Sequence, residues 1–278
     1  MAKGNRGGQR AGGVTSGIGT TIPITAINGV PTGATAQSVN AQQTNTQVDD
    51  TSTASAFGTD YNKFMAMTDD EKADVIANTI KQGVPVHLAQ NDFQRFLYHS
   101  GLNDKPDVVD DATLNKMTGT EMFRTVNFVD DKVNDIGYTA PQIAKQIMSG
   151  KHTRVSDTGG SAHGRGIYFA DSYTGSVGYG HTTGNVKATS VVRAKLNNNA
   201  KVMNESVASR GVSREISSGS KLGKVLSKCD GHSRTSIYAM AKGYNVIKDD
   251  MWNSGYLVVL NRNAITMSKD IRAKGSKW

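Results

Sequence analysis

Apolar positions recur at helical spacing in several stretches of the chain and at strand spacing in others. Ala73, Val75, Ile76 and Ile80 mark a helix over 68–82. Thr68-Asp69-Asp70-Glu71 opens it as a capping box, with a threonine cap and a glutamate three residues on. Gly83 closes it and Pro85 follows. A second helix is expected over 89–99, with Phe93, Phe96 and Leu97 on one face. His99 reads as its end, and Asn103-Asp104-Lys105-Pro106 as a turn leading to Asp107, Asp110 and Asp111. A third helix opens at Thr139-Ala140-Pro141, carries Ile143, Ile147 and Met148 as its stripe, and ends at Gly150. Helical stretches over 213–229 and 233–242 come later, the second closed by Gly243. Strand signals fall on 121–126, 167–169, 188–196 and 244–247, and the strongest on Tyr256-Leu257-Val258-Val259-Leu260-Asn261. The chain therefore reads as α+β.

Residues 1–57 are a different material: Gly, Ala, Thr, Ser, Gln and Asn, with Phe57 their one aromatic. Such a segment buries too little apolar surface to offset its ordering entropy, and is expected to be a flexible arm. Order is expected from about Asp60, with a helical lobe over 58–115 and the presumed catalytic core over 116–278. Lys3, Arg6 and Arg10 lie in the arm among glycines. No apolar stretch follows them, so a signal peptide is not expected. No apolar run approaches the roughly 18 residues of a membrane helix, so no membrane partner is expected.

Charge and cysteine usage narrow the chemistry. The formal net charge is +8 and the sequence pI about 9.4. That balance suits an anionic ligand or partner. The basic residues are scattered, however, which argues against a dedicated nucleic-acid face. Cys229 is the single cysteine, and it reads as a buried small residue. A disulfide framework and a thiolate metal site are thereby excluded. His152, Arg154 and His163 fall in a polar, Gly-rich loop from Lys151 to His163, where each histidine reads as a solvated side chain. No third ligand has metal spacing, so no zinc is expected.

The most distinctive stretch is Gly164-Arg165-Gly166-Ile167-Tyr168-Phe169-Ala170-Asp171, continuing to Ser176 and Tyr179. Its glycines allow a sharp turn and close approach of a ligand. Strand alternation sends Ile167 and Phe169 one way and Tyr168 the other, toward a cleft to which Tyr179 can return. Two aromatic faces with a hydroxyl between them suit a flat polar heterocycle.

This stretch resembles the nicotinamide pocket of ADP-ribosyltransferases, in particular the poly(ADP-ribose) polymerase and diphtheria-toxin-like branch. Those enzymes carry Gly-Lys-Gly-Ile-Tyr-Phe-Ala-Asp and then a serine and a tyrosine at the same offsets; Arg165 stands here in place of the lysine. The resemblance implies a core of two packed, mostly antiparallel sheets around an NAD cleft. In that cleft Tyr168 and Tyr179 sandwich the nicotinamide, Ser176 bonds its carboxamide and Gly166 lets it approach. Arg124, about forty residues upstream on the 121–126 strand, matches the family's histidine or arginine and would hold ribose or phosphate oxygens with its fork of donors. The end of the chain, Gly243-Tyr244-Asn245-Val246-Ile247 and then Tyr256-Leu257-Val258-Val259-Leu260-Asn261, reads like the last core strands of phage-encoded members.

One position departs from the family. Its catalytic glutamate would stand at the start of the last strand, where this chain has Gly255, preceded by Asn253 and Ser254. The expected substitute is Asp250, with Asp249 as the alternative. The resemblance thus implies mono-ADP-ribosyl transfer from NAD, with no metal, onto a host protein or nucleic-acid acceptor by a bacteriophage protein of the host cytoplasm or the virion. The arm would contact other virion proteins. The rivals are a virion structural protein with a catalytically inactive transferase fold and a basic nucleic-acid-binding module. Deleting residues 1–57 is expected to leave the melting temperature nearly unchanged, because the segment has so little apolar surface to bury; a large drop in a thermal melt would show that the arm packs on the core.

Overall fold

The computed structural model describes residues 61–128, 140–152, 163–179, 188–252 and 254–273. The arm expected over 1–57, Arg154, Asn253 and most of the Lys151–His163 loop lie outside them.

Local chemistry sets the helix ends. Helix α1 is Tyr61–Ala66 and α2 is Asp69–Thr79. The capping box forms as expected: the Thr68 N–H donates to Glu71 Oε2 at 2.7 Å, and the Glu71 N–H donates to Thr68 Oγ1 at 3.3 Å. Helix α3, Asp92–Ser100, is capped by Asn91 and ends at Gly101, whose φ of 71° is the left-handed conformation glycine tolerates. Strand β1 (Asp107–Val109) and helix α4 (Asp111–Lys116) follow, where the sequence had suggested only a turn and acidic residues. Asp110 makes the difference: its carboxylate accepts the Thr113 N–H at 2.8 Å and starts α4.

The rest of the chain supplies β2 (Glu121–Phe128), α5 (Ala140–Ser149), β3 (Ile167–Ala170), α6 (Tyr173–Tyr179), β4 (Ala188–Leu196) and β5 (Val202–Asn204). Then come α7 (Glu205–Ser218), α8 (Lys221–Leu226), α9 (Gly231–Ala241), β6 (Val246–Lys248), β7 (Tyr256–Val259), β8 (Ile265–Ser268) and β9 (Arg272–Ala273). The fold is α+β.

Its strands join in one mixed sheet, in the order β1-β8-β4-β2-β3-β7-β6-β5, with β9 on β4. The pairs β1–β8 and β5–β6 are parallel and the remaining pairs antiparallel. Pairing is long between β2 and β4, from Glu121↔Lys195 to Phe128↔Ala188. Between β2 and β3 it is a single register pair, Phe123↔Ala170. The sheet is thus two halves joined at one narrow seam.

Two apolar clusters fill the core. One draws Met122 and Val126 of β2, Val192 and Ala194 of β4, Ile167 and Phe169 of β3, and Leu257 and Val259 of β7 together under Ile143 and Ile147 of α5. Both halves of the sheet contribute to it. The other packs Ile76, Phe93, Phe96, Leu226, Ile237 and Met240, from α2, α3, α8 and α9, against Tyr168, Ile247 and Val258. The helices before residue 115 therefore share a core with the later strands, and β1 pairs with β8. Asp92 and Asp230 lock α3 to α9: each carboxylate accepts the other's backbone N–H, at 2.8 and 3.2 Å. Thr68→Ala is expected to cost roughly 0.5–2 kcal/mol in urea unfolding, the ordinary value of a helix cap; an unchanged midpoint would show that α2 is held by packing alone.

Candidate functional site

The stretch singled out from the sequence folds as strand, bend and helix. β3 pairs with β7 in the register Ile167↔Val259, Tyr168↔Val258, Phe169↔Leu257 and Ala170↔Tyr256. Ile167 and Phe169 enter one cluster and Tyr168 the other, as the alternation predicted. Residues 173–179 are helical. At Gly166 a Cβ would come within 2.7 Å of Val258 Cγ1 and Val259 O, so the missing side chain is required by the approach of β7. Ser236 clamps the preceding turn: its hydroxyl accepts the Arg165 N–H and donates to the Arg165 carbonyl, both at 2.7 Å.

Tyr168 is buried, not open to a cleft. Its hydroxyl donates to the Gly164 carbonyl at 2.7 Å and accepts the His163 backbone N–H at 2.9 Å. His163 is the correction here. It was expected to be a solvated loop side chain, but it is buried, stacked at 6.0 Å on Tyr256 and close to Tyr168. Its Nδ1 lies 2.7 Å from Glu205 Oε2 and 3.9 Å from Asp249 Oδ1. Glu205 is the first residue of α7, where the helix dipole favours a negative charge.

Asp249 is buried, and burial alone would raise its pKa. Hydrogen bonds from the Ser254 hydroxyl and from the backbone N–H groups of Trp252, Ser254 and Met251 outweigh that and bring it down to about 2. Ligand atoms of His163, Glu205 and Asp249 all lie within 4.8 Å of one another. An imidazole with two carboxylates has the composition of a divalent-cation site. Here a hydrogen bond closes the His163–Glu205 contact and four donors reach Asp249, which satisfies these buried groups behind Tyr168. The sequence could not show it, because the three residues come from separate segments.

The register also lines up a row of positions on one face. Phe123 pairs with Ala170 and Ala170 with Tyr256, and paired residues share a face. Tyr168 lies on the same face as Ala170, and Thr125 beside Phe123. α6 packs there: Phe123 meets Tyr173 edge-on at 6.1 Å, and Thr125 Oγ1 lies 2.8 Å from Ser176 Oγ. Ser176 is buried. Tyr179 ends α6, and its side chain lies outside the described residues.

Arg124 takes the opposite face of β2, with Met122 and Val126. One guanidinium nitrogen donates to the Tyr168 carbonyl at 2.9 Å, which ties the seam together. Desolvation lowers its pKa to about 10, so it stays cationic at neutral pH. The structure thus brings Arg124 to the backbone of Tyr168, and Ser176 to Thr125. Asp250 is placed elsewhere: it is exposed, and its carboxylate accepts the Ser206 N–H at 2.8 Å and the Ser206 hydroxyl at 2.6 Å in the first turn of α7. Of the two aspartates considered, Asp249 is the one beside His163.

No protein-family model, curated protein or solved structure gives a significant match to the chain.

The Asp249 carboxylate, lowered from 3.8 to about 2, stabilises the fold above pH 4, and that contribution is lost as the pH falls toward 2. It amounts to roughly 2 kcal/mol. Urea unfolding of the parent and of Asp249→Asn should therefore differ by roughly 1.5 kcal/mol less at pH 2.5 than at pH 5; a gap that does not change with pH would show that the carboxylate is not held this way.

Proposed function

We propose that this protein transfers a single ADP-ribosyl group from NAD, its substrate, to a host protein or nucleic-acid acceptor. One observation carries the reading. The uninterrupted stretch Gly164–Tyr179, which resembles the nicotinamide pocket of ADP-ribosyltransferases, forms one strand–bend–helix unit that sets Tyr168, Thr125, Ser176 and Tyr256 along one face. The two half-sheets would correspond to the two sheets of such a core, with the NAD cleft along this face and no metal required.

In this reading nicotinamide stacks on Tyr179, with Tyr168 buried behind the pocket and holding the turn at Gly164. Ser176 turns from Thr125 to the carboxamide. Arg124, on the opposite face of β2, supports the pocket indirectly by holding the Tyr168 carbonyl. The reaction is dissociative: the bond from ribose C1′ to the nicotinamide nitrogen breaks, and its electron pair leaves with nicotinamide. An acceptor lone pair then closes on C1′ as the acceptor proton passes to solvent. The protein would act in the host cytoplasm after delivery by a bacteriophage, with the N-terminal arm serving contacts to other virion proteins.

A second reading is favoured by Gly255, where the family resemblance calls for glutamate: a virion structural protein with an inactive transferase fold. Labelled NAD incubated with host lysate separates the two. Transfer of label to protein or nucleic acid, and not of a polymer, is expected; NAD binding without transfer would establish the structural reading. Tyr179→Ala should weaken NAD binding by roughly 1–3 kcal/mol, the worth of one aromatic stack. Unchanged calorimetric affinity in a folded variant would remove Tyr179 from the pocket.

A further inference from the structure

The acid that the chemistry calls for is absent at residue 255, and the surroundings of that residue show why. Gly255 has a φ of 72°, in the left-handed region. A Cβ built on it would stand 2.5 Å from Asp171 Oδ1 and 2.8 Å from both Asp171 Cγ and Oδ2. The space that a side chain at 255 would enter is already filled by a carboxylate. The backbones are locked together as well. The Asp171 N–H donates to the Gly255 carbonyl at 2.9 Å, one step beyond Ala170↔Tyr256 on the β3–β7 ladder.

The other acids nearby are engaged. Asp249 is buried under four donors, Asp250 is bound to Ser206, Glu205 faces His163, and Asp230 caps α9. Asp171 is exposed, and among the described residues no side chain pairs with its carboxylate. It lies next to Ser172, whose carbonyl accepts the Ser176 N–H at 3.0 Å, at the joint between the strand carrying Tyr168 and the helix carrying Ser176.

We propose that Asp171 is the catalytic carboxylate of the transfer reaction, delivered from β3 to the place that a glutamate at 255 would otherwise serve; this rests on the reading of the protein as an NAD-dependent transferase. As the C1′–nitrogen bond breaks and its electrons pass to nicotinamide, positive charge grows on the ribose. Asp171 stabilises that charge electrostatically and forms no bond to the sugar. Because the ground state carries no such charge on the ribose, the contribution falls on turnover and not on binding.

The test uses the full chain with labelled NAD, following nicotinamide release and transfer to lysate acceptors, with calorimetry for NAD affinity and a thermal melt for folding. Asp171→Asn is expected to lower turnover by about 10²–10³ while NAD affinity and KM stay within about threefold. Asp171→Glu, which keeps the charge on a longer arm, is expected to recover part of the loss. Full turnover in a folded Asp171→Asn protein, beside an active parent, would overturn the assignment and leave the transferase reading standing. So would loss in Asp250→Asn without loss in Asp171→Asn, which would return the role to Asp250. A parent that neither binds nor turns over NAD would overturn both the assignment and the reading beneath it.

Discussion

The structure turns on β3. This four-residue strand is buried on both faces, and among the described residues it is the strand that joins the half-sheet of β2, β4 and β8 to the half-sheet of β7, β6 and β5. Its bonds to β7 run its whole length, whereas its register with β2 is one pair. A seam so short in hydrogen bonds needs other support. Arg124 supplies some by reaching from β2 to the Tyr168 carbonyl, and the cluster under α5 supplies more by drawing apolar side chains from both halves. A glycine at 166 is what lets β7 come close enough to hold the strand.

Behind β3, polar groups are buried in numbers that only mutual satisfaction makes tolerable. The Tyr168 hydroxyl is both donor and acceptor, His163 meets Glu205, and Asp249 collects the backbone N–H groups of its own loop. Each group fixes a different segment: the turn into β3, the start of α7 and the loop into β7. The network therefore sets the relative placement of three segments that the apolar packing alone would leave less sharply defined. It also holds the backbone N–H groups of Met251 and Trp252, whose side chains are exposed.

Much of this was legible in the residues. Helices α2, α3 and α5 and strands β2, β3, β4 and β7 follow from periodicity and end signals, and Cys229 is buried as read, its thiol pushed up to about 12 chiefly by desolvation. The opposite faces of Tyr168 and its two neighbours needed only the alternation of a strand. Other elements were not legible. β1, β5 and β8 are three- or four-residue strands whose existence depends on partners far along the chain, and α6 has glycines at 175 and 178 that mask a helical pattern.

What the sequence determined by itself was therefore local: which segments are helical or extended, where caps begin and end them, and which face of a strand each side chain takes. Those properties depend on neighbours within a turn or two of backbone. The tertiary structure decided the rest. It buried His163 against Glu205 and Asp249, turned Asp250 to Ser206, and set the Asp171 carboxylate against the bare Cα of Gly255. Each of these contacts joins residues from separate strands, loops and helix ends, and the distance between two such groups is fixed by sheet register and core packing, which no local pattern encodes.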